Sequence, residues 1–388
     1  MTPSANVPNA PKAPAAPAAT GTMADMRVIG FPGRYVQGPG ALGLLGGLVA
    51  ELGGRRPVLV SDDIVDAALG QRLPAAFAST GPVPVRLRFG GECTRPAIAA
   101  LVLQAQELGA DLVIALGGGK TIDTAKGVAR ALDLKLAVVP TVASNDSPTS
   151  RLIVVYDEAH QLVGVDYLSR NPDLVLVDTA VIAQAPVRFF RAGIGDAISK
   201  KFEAAQCLGA GGRNFFGGRP PGLVAVITER CHQAIVEHGE AALADVARQQ
   251  VTPAVEAVTE ATVLLSGLGF ESGGLSIAHS VLRGFSTVPA MARSLHGEQV
   301  AFGLLVQWML EGRPPAAVDE LLSLYGRLGL PRHLGMLGHE GEAAAIAGPV
   351  AQHTWNTAPY VRHLDAPVDA GRIEAAILHA DQLGRRWR

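Results

Sequence analysis

Short, continuous apolar runs alternate with longer amphipathic stretches over the first half of the chain, and this alternation constrains the fold more than any other feature. Five such runs are predicted strands: Pro57–Ser61, Val83–Phe89, Asp111–Leu116, Leu136–Pro140 and Leu174–Asp178. Amphipathic stretches, such as Thr94–Gly109 and Lys120–Leu132, are predicted helices. Strands that lack polar alternation are buried on both faces, and helical crossovers between them make the sheet parallel. A hairpin-like pair, Leu152–Tyr156 and Gln161–Asp166, is expected to extend this sheet.

The strand signals stop after about Pro186, and Ala/Leu/Val stretches at helical spacing take over. Six helices are predicted there: Gly193–Cys207, Pro221–His238, Thr252–Leu268, Gly273–Gly284, His296–Leu310 and Asp369–Leu383. The chain is therefore expected to comprise a disordered Ala/Pro-rich tail (1–23), an α/β domain with a Rossmann-like parallel sheet (24–185) and an all-α C-terminal domain (186–388). The active site is expected in the cleft between the two domains.

The charge balance and the apolar pattern exclude two classes of partner. Lys and Arg total 33 against 35 Asp and Glu, with no basic run, so no nucleic-acid partner is expected. No stretch approaches the roughly 20 apolar residues of a membrane span. The N-terminal tail lacks the apolar region of an export signal, and the three cysteines lie far apart in sequence, so a cytoplasmic location is expected.

Two loops at the ends of predicted strands suggest a nucleotide site. A buried strand runs through Gly117-Gly118-Gly119 directly into a helix, where free backbone N–H groups favour a phosphate. The next strand leads into the polar stretch 140–150, which includes Asp146, and both loops emerge at the carboxyl edge of the sheet. Asp62, just after another strand, is placed either to hold a ribose or to cap the following helix. Alternatively, the glycines and polar residues form ordinary turns.

Asp196, His279 and His296 form the second signal. Their separations, 83 and 17 residues, match no spacing rule. His279 lies among apolar neighbours, where an imidazole without a partner is costly to bury. Two imidazoles and a carboxylate would leave an open position on a divalent metal, although hydrogen-bonded histidines within the core would look the same in sequence.

At these residues the sequence resembles the glycerol dehydrogenase family, within the metal-dependent group that contains iron-containing alcohol dehydrogenases and dehydroquinate synthases. The matching stretches follow the family's order over nearly the whole chain after the tail: Gly117–Lys126, Pro140–Ser144, Asn171–Asp173, Val177–Thr179, Gly195–Ala197, Phe270–Leu275 and His296–Glu298.

The resemblance implies an NAD-dependent polyol dehydrogenase with a catalytic metal in the helical domain. The NAD-binding residues that it implies are Asp62, Gly118, Gly119, Lys120, Asp123, Thr141, Ser144, Ser150, Leu152 and Tyr156. It implies zinc, or Fe²⁺ or another divalent ion in its place, at Asp196, His279 and His296, and a substrate hydroxyl that meets Asp146. It also implies a homo-oligomer, often an octamer. A carboxylate at Asp62 favours NAD over NADP, because it would repel a 2′-phosphate.

Departures from the family pattern leave the substrate open. Arg151, Lys200, Lys201 and Arg283 add positive charge where typical relatives carry other residues, and Asn145 replaces a smaller hydroxyl residue. A vicinal diol such as glycerol is the leading expectation. The alternative is a hydroxycarboxylate dehydrogenase, or 2-oxo acid reductase, that holds a carboxylate with Arg283 or Arg151, unless Arg283 and Lys201 face solvent or a subunit contact. A dehydroquinate synthase-like cyclase and an inactive nucleotide-binding protein are weaker alternatives, because the carboxylate ligand is Asp196 and all three metal ligands are present.

Overall fold

The computed structural model describes residues 21–158 and 162–387. The tail prediction for residues 1–20 and the start of the second hairpin strand at Gln161 lie outside these ranges. Eight strands are described: β1 (Tyr35–Gly38), β2 (Pro57–Ser61), β3 (Val85–Arg88), β4 (Leu112–Gly117), β5 (Lys135–Pro140), β6 (Leu152–Tyr156), β7 (Leu162–Tyr167) and β8 (Leu174–Asp178).

Six of these strands form one parallel sheet in the order β1-β8-β5-β4-β2-β3. Its central strands are buried on both faces. In β4, Val113 and Ala115 belong to the core shared with the helical half, whereas Leu112, Ile114 and Leu116 belong to a second core on the other face. This explains why the strand has an unbroken apolar sequence.

The predicted extension of the sheet by the hairpin is wrong. β6 and β7 pair antiparallel in a separate two-stranded sheet, and β6 contacts helix Gly119–Leu132. The free edge of β5 is instead taken by β8, and β1 adds outside β8. The sequence did not reveal β1, because its four half-buried residues form no apolar run.

Helices surround the sheet and then make up the whole C-terminal half of the described chain. Those of the α/β half are α1 (Leu45–Glu51), α2 (Asp63–Leu69), α3 (Leu73–Phe77), α4 (Arg95–Glu107), α5 (Gly119–Leu132) and α6 (Thr179–Gln184). Those of the second half are α7 (Val187–Ala197), α8 (Lys200–Gly209), α9 (Leu223–Ala247), α10 (Pro253–Glu260), α11 (Ser266–Gly273), α12 (Ile277–Phe285), α13 (His296–Glu311), α14 (Pro315–Leu328), α15 (Ala344–Thr357) and α16 (Ala370–Arg386). Short 3-10 turns lie at Met23–Asp25, Ala41–Leu44, Gly70–Arg72, Ser147–Thr149, Pro289–Arg293 and Leu334–Leu337.

The α/β half followed by a helical half confirms the predicted fold class; the domain boundary near residue 185 stays a prediction. Two predicted helices are divided. The stretch 193–207 breaks between α7 and α8, and the stretch 252–268 contains a π-helical turn at Ala261–Leu265. Helices α14 and α15 were not predicted. Within the described ranges, no single helix is long and apolar enough to cross a membrane, although α10–α11 and α12 meet those criteria together as a pair bent by 93°.

Candidate active site

The two predicted nucleotide loops touch each other at the carboxyl edge of the sheet. Gly118 precedes α5 in an extended conformation, and α5 begins at Gly119. The side-chain amide of Asn145, in the loop after β5, packs against Gly119, and the backbone N–H of Thr141 donates to the Gly117 carbonyl oxygen at 3.1 Å. The first turn of α5 directs its free N–H groups into the same region.

Several predicted NAD residues surround this junction. Asp62 follows β2 and its carboxylate accepts a hydrogen bond from the backbone N–H of Val65 at 2.8 Å, so it does cap α2. Lys120 is exposed, pairs with Glu92 at 2.6 Å and lies 5.4 Å from the centre of the Tyr156 ring. The others at the junction are Gly118, Gly119, Thr141 and Ser144.

Three predicted NAD residues, Asp123, Ser150 and Leu152, lie instead inside a buried polar network. The Asp123 carboxylate accepts hydrogen bonds from Ser147 Oγ at 2.7 Å and from the backbone N–H of Val154 at 3.0 Å. Lys126, fully buried, donates to the carbonyl oxygens of Ser147 (2.8 Å) and Leu152 (2.7 Å). This network ties the polar loop to α5 and β6; NAD contacts for the three residues stay a prediction.

The structure brings the three predicted metal ligands together. One donor atom from each of Asp196, His279 and His296 lies within 4.8 Å of the other two. Asp196 Oδ1 is 3.2 Å from Nε2 of His279 and 3.8 Å from Nε2 of His296. Two glycines allow this approach. A Cβ on Gly297 would lie 1.8 Å from the Ala192 carbonyl oxygen, and one on Gly195 would lie 2.5 Å from the Gly297 carbonyl oxygen, so α7 and α13 cross in backbone contact.

Glu203, which the sequence analysis missed, orients His279. Its buried carboxylate lies 2.6 Å from Nδ1 of His279 and accepts hydrogen bonds from the backbone N–H groups of Ser276 and His279. Nε2 of His279 therefore faces Asp196. A carboxylate behind a histidine in this way is the usual arrangement around a protein-bound metal.

Lys200 lies among these groups, on the first turn of α8. Its fully buried ammonium is 2.5 Å from Asp196 Oδ1, 3.1 Å from Asp146 Oδ2 and 3.2 Å from Nε2 of His279. Asp146 comes from the loop after β5, whereas the other groups come from the helical half. The Lys200 ammonium therefore joins the two halves of the molecule. The spacing Asp196, Lys200, Glu203 is four and then three residues, which is the signal that would have placed all three on one helical face.

Burial and these neighbours shift the pKa of each charged group. Burial, with the nearby Asp196 carboxylate, raises the pKa of Asp146 to about 6. Burial also acts to raise the pKa of Asp196, yet the Lys200 ammonium outweighs it and holds the pKa of that carboxyl well below its usual range. Burial acts to lower the pKa of His279, but the Glu203 carboxylate reverses this and the pKa rises to about 9.

The three donor atoms suit a divalent ion, but the neighbouring Lys200 ammonium would repel it. Two imidazole nitrogens and one carboxylate are the ligands of an open zinc site, and the buried Asp196 Oδ2 has no hydrogen-bond partner. The Lys200 ammonium, however, is in contact with two of the three donor atoms. The three ligands therefore suit a divalent metal, but the positive charge of Lys200 would repel one.

The positively charged residues that differ from the family pattern lie in different surroundings. Arg151 is engaged within the protein, since its guanidinium lies 3.2 Å from the buried carboxylate of Glu271. Lys201 pairs with Glu229 at 2.9 Å near the surface, as expected if it faces solvent. Arg283 is half-buried one turn beyond His279 on α12.

Comparison with known proteins places these features in one family. A family model for iron-containing alcohol dehydrogenase matches residues 32–179. The chain is 38% identical to the glycerol dehydrogenase of Thermotoga maritima over 356 residues, 92% of this chain and 97% of that protein. It is also 38% identical to the glycolaldehyde reductase of Halobacterium salinarum over 357 residues, covering 92% and 98% of the two chains. The crystal structure of glycerol dehydrogenase from Schizosaccharomyces pombe superimposes with a TM-score of 0.90 at 31% identity, over 94% of this chain and 93% of that one.

This family binds NAD and is metal-dependent, and its members share the two-domain fold described above. The resemblance first read from the glycine loop and from the Asp196 and histidine motifs is thereby confirmed. The chain belongs to the iron-containing alcohol dehydrogenase family, among its glycerol dehydrogenases, and is an alcohol or polyol dehydrogenase.

Proposed function

We propose that this chain oxidises a small vicinal diol, glycerol or a close analogue, with NAD⁺ as the hydride acceptor. The observation that carries the proposal is the contact between Asp146 and Lys200, which brings the loop after β5 against the Asp196, His279 and His296 cluster. The glycine loop that would hold the dinucleotide and the polar cluster that would hold the diol therefore open into one cleft.

The reaction converts a secondary alcohol into a ketone. The C–H bond of the carbinol carbon breaks, its electron pair and hydrogen pass as hydride to the nicotinamide ring, and the hydroxyl proton is lost, which gives hydroxyketone, NADH and a proton. The reaction is reversible. Rate depends on holding the carbinol carbon and the nicotinamide in line at contact distance.

The chain's own residues supply the orientation. Gly118 and Gly119 would hold the phosphates of NAD, Asp62 would bind its ribose, and Lys120 and Tyr156 would line the same site. The Asp146 carboxylate accepts a hydrogen bond from a substrate hydroxyl. His296, whose side chain is 45% exposed, lines the open side of the cleft.

The predicted metal has no part in these steps. The family resemblance implies zinc, or Fe²⁺ or another divalent ion, at Asp196, His279 and His296. Because the Lys200 ammonium lies among the same donor atoms, the proposed reaction includes no step through a metal. The homo-oligomer, octamer included, and the cytoplasmic location stay predictions.

A diol substrate is favoured over a hydroxycarboxylate. Arg151, one of the two side chains expected to hold a carboxylate, is already paired with Glu271. Arg283 is the remaining candidate, and it lies close enough to His279 that a substrate screen must decide between the two classes.

A substrate screen with a matched pair of variants tests the proposal. We expect NADH to form from NAD⁺ with glycerol or a related diol, and to be consumed faster with dihydroxyacetone than with any 2-oxo acid. Asp146→Asn should lower kcat/KM by about 100-fold, the size of loss expected when a substrate group is misplaced by about 1 Å, because the variant lacks the carboxylate that orients the hydroxyl. Asp133→Asn, at a surface carboxylate that is 93% exposed, is the control and should leave kcat/KM unchanged. Absence of NADH formation with every diol would contradict the proposal.

A further inference from the structure

The buried cluster already contains a cation. Lys200 Nζ lies within 3.2 Å of one oxygen from each of Asp196 and Asp146 and of Nε2 of His279, and its side chain is 0% exposed. Two of these three groups, Asp196 and His279, are also predicted ligands of the divalent ion.

A divalent ion and this ammonium compete for one space. Zinc binds carboxylate oxygen and imidazole nitrogen at about 2.0–2.2 Å. An ion held by Asp196 Oδ1 and by Nε2 of His279 would lie beside an ammonium that is already 2.5 Å from the first atom and 3.2 Å from the second. Repulsion between the two cations is strong there, because little water reaches the site to screen it.

The lysine is also fixed where it is. Its Cβ lies next to Gly269, where an added Cβ would be 3.5 Å away, and its ammonium lies 5.9 Å from the centre of the Phe270 ring. Moving the ammonium out of the cluster would leave both Asp146 and Asp196 buried without their cation, which is costly.

We propose that the Lys200 ammonium takes the place of the divalent ion in this chain, so that the site at Asp196, His279 and His296 retains metal weakly and the enzyme works without one. Lys200 is a positioning residue in this proposal: it neutralises the two carboxylates and holds Asp146 toward the cleft. The inference rests on the proposed function only in placing the reaction at this cleft, and it does not depend on which diol is oxidised.

The zinc content of the purified protein tests the proposal directly. Wild type, Lys200→Met and Lys200→Ala are each incubated with excess zinc, desalted and analysed for zinc per chain, and zinc affinity is measured by calorimetry. We expect far less than one zinc per wild-type chain. Removing the charge should tighten zinc binding by about 100-fold or more, since it removes a like charge in contact with the ion. Lys200→Met keeps most of the volume, so it tests the charge if Lys200→Ala does not fold.

Two controls assign the gained zinc to this site. Lys201→Met removes the neighbouring lysine, which pairs with Glu229 near the surface, and should bind zinc as weakly as wild type. Adding His296→Ala to the Lys200→Met variant should abolish the gained zinc. One tightly held zinc per wild-type chain would overturn the proposal, as would unchanged zinc affinity in Lys200→Met.

Activity separates this inference from the proposed function. We expect wild-type NADH formation with a diol to continue at the same rate after dialysis against a chelator. Loss of that rate, with recovery on adding zinc, would refute the role of Lys200 while upholding the diol dehydrogenase. If no diol is oxidised under any metal condition, the proposed function fails, and the zinc measurements alone then decide the role of Lys200.

Discussion

Replacing Glu203 with Gln tests whether a buried carboxylate sets the orientation of His279. One carboxylate oxygen accepts from the backbone N–H groups of Ser276 (2.9 Å) and His279 (3.0 Å). The other accepts from Ser199 Oγ at 2.9 Å and lies 2.6 Å from Nδ1 of His279. A glutamine has one acceptor oxygen, so it can keep the first pair of contacts while its NH₂ group faces the imidazole.

The expected loss of folding free energy in Glu203→Gln follows from these four contacts. Hydrogen bonds to a charged group contribute about 1.5–3 kcal/mol each and neutral ones about half as much, so losing the charge at four bonds costs about 2–4 kcal/mol after partial readjustment. Unfolding entropy is about 2.1 cal/mol/K per residue, and over 388 residues a loss of this size lowers the thermal midpoint by about 2–5 °C. The NH₂ group must also donate to Nδ1, so that nitrogen loses its proton and the neutral ring keeps one proton, on Nε2, facing Asp196 and Lys200.

Three measurements check the reasoning. The thermal midpoint is followed by circular dichroism, the His279 tautomer by nitrogen NMR of the imidazole, and activity by NADH formation. Glu229→Gln is the matched control, because Glu229 is a near-surface partner of Lys201. We expect a lower midpoint, a proton on Nε2 and a lower kcat in Glu203→Gln alone. An unchanged midpoint together with an unchanged tautomer would refute the orienting role of Glu203.

Three further predictions concern stability. Lys126→Met should lower the free energy of unfolding, measured by urea titration, by about 3–5 kcal/mol. It removes a buried ammonium and leaves its carboxylate and carbonyl partners buried without that donor. Burial lowers the pKa of His232 to about 4 from 6.5, so the neutral ring favours the folded chain. That contribution, about 2 kcal/mol after allowance for partial exposure, should be complete above pH 6.5 and disappear as the pH falls to 4, and His232→Gln should flatten this part of the stability profile. Gly297→Ala should cost about 3 kcal/mol and most activity, because its methyl group collides with the Ala192 carbonyl, whereas Gly47→Ala, in open space on α1, should be neutral or stabilising in the same thermal scans.

The sequence predicted the central sheet well, because strands buried on both faces have continuous apolar sequences. The bounds of β2 and β8 were predicted to the residue. The edge strand β1 was not found, since its half-buried residues lack such a run. Hydrophobic spacing also could not reveal the π-helical turn at Ala261–Leu265, because one extra residue per turn shifts the apolar face without interrupting the helix.

The site was less accessible to sequence reasoning. Asp196, His279 and His296 are 83 and 17 residues apart, and their meeting depends on how α7, α12 and α13 pack, so residue spacing could not predict it. Lys200 was noticed as added charge, but its position at the centre of the cluster depends on Asp146 arriving from the other half of the molecule. Contacts of that kind follow from tertiary packing and leave no local pattern.

The bridge between Asp146 and Lys200 also bears on how the two halves move. Asp146 is the carboxylate through which the loop after β5 pairs with this ammonium, so widening the cleft there would separate Lys200 from one of its two paired carboxylates. Such a separation is uphill by several times the thermal energy. This ion pair therefore favours contact between the loop after β5 and α8, and any opening of the cleft at this point must first break it.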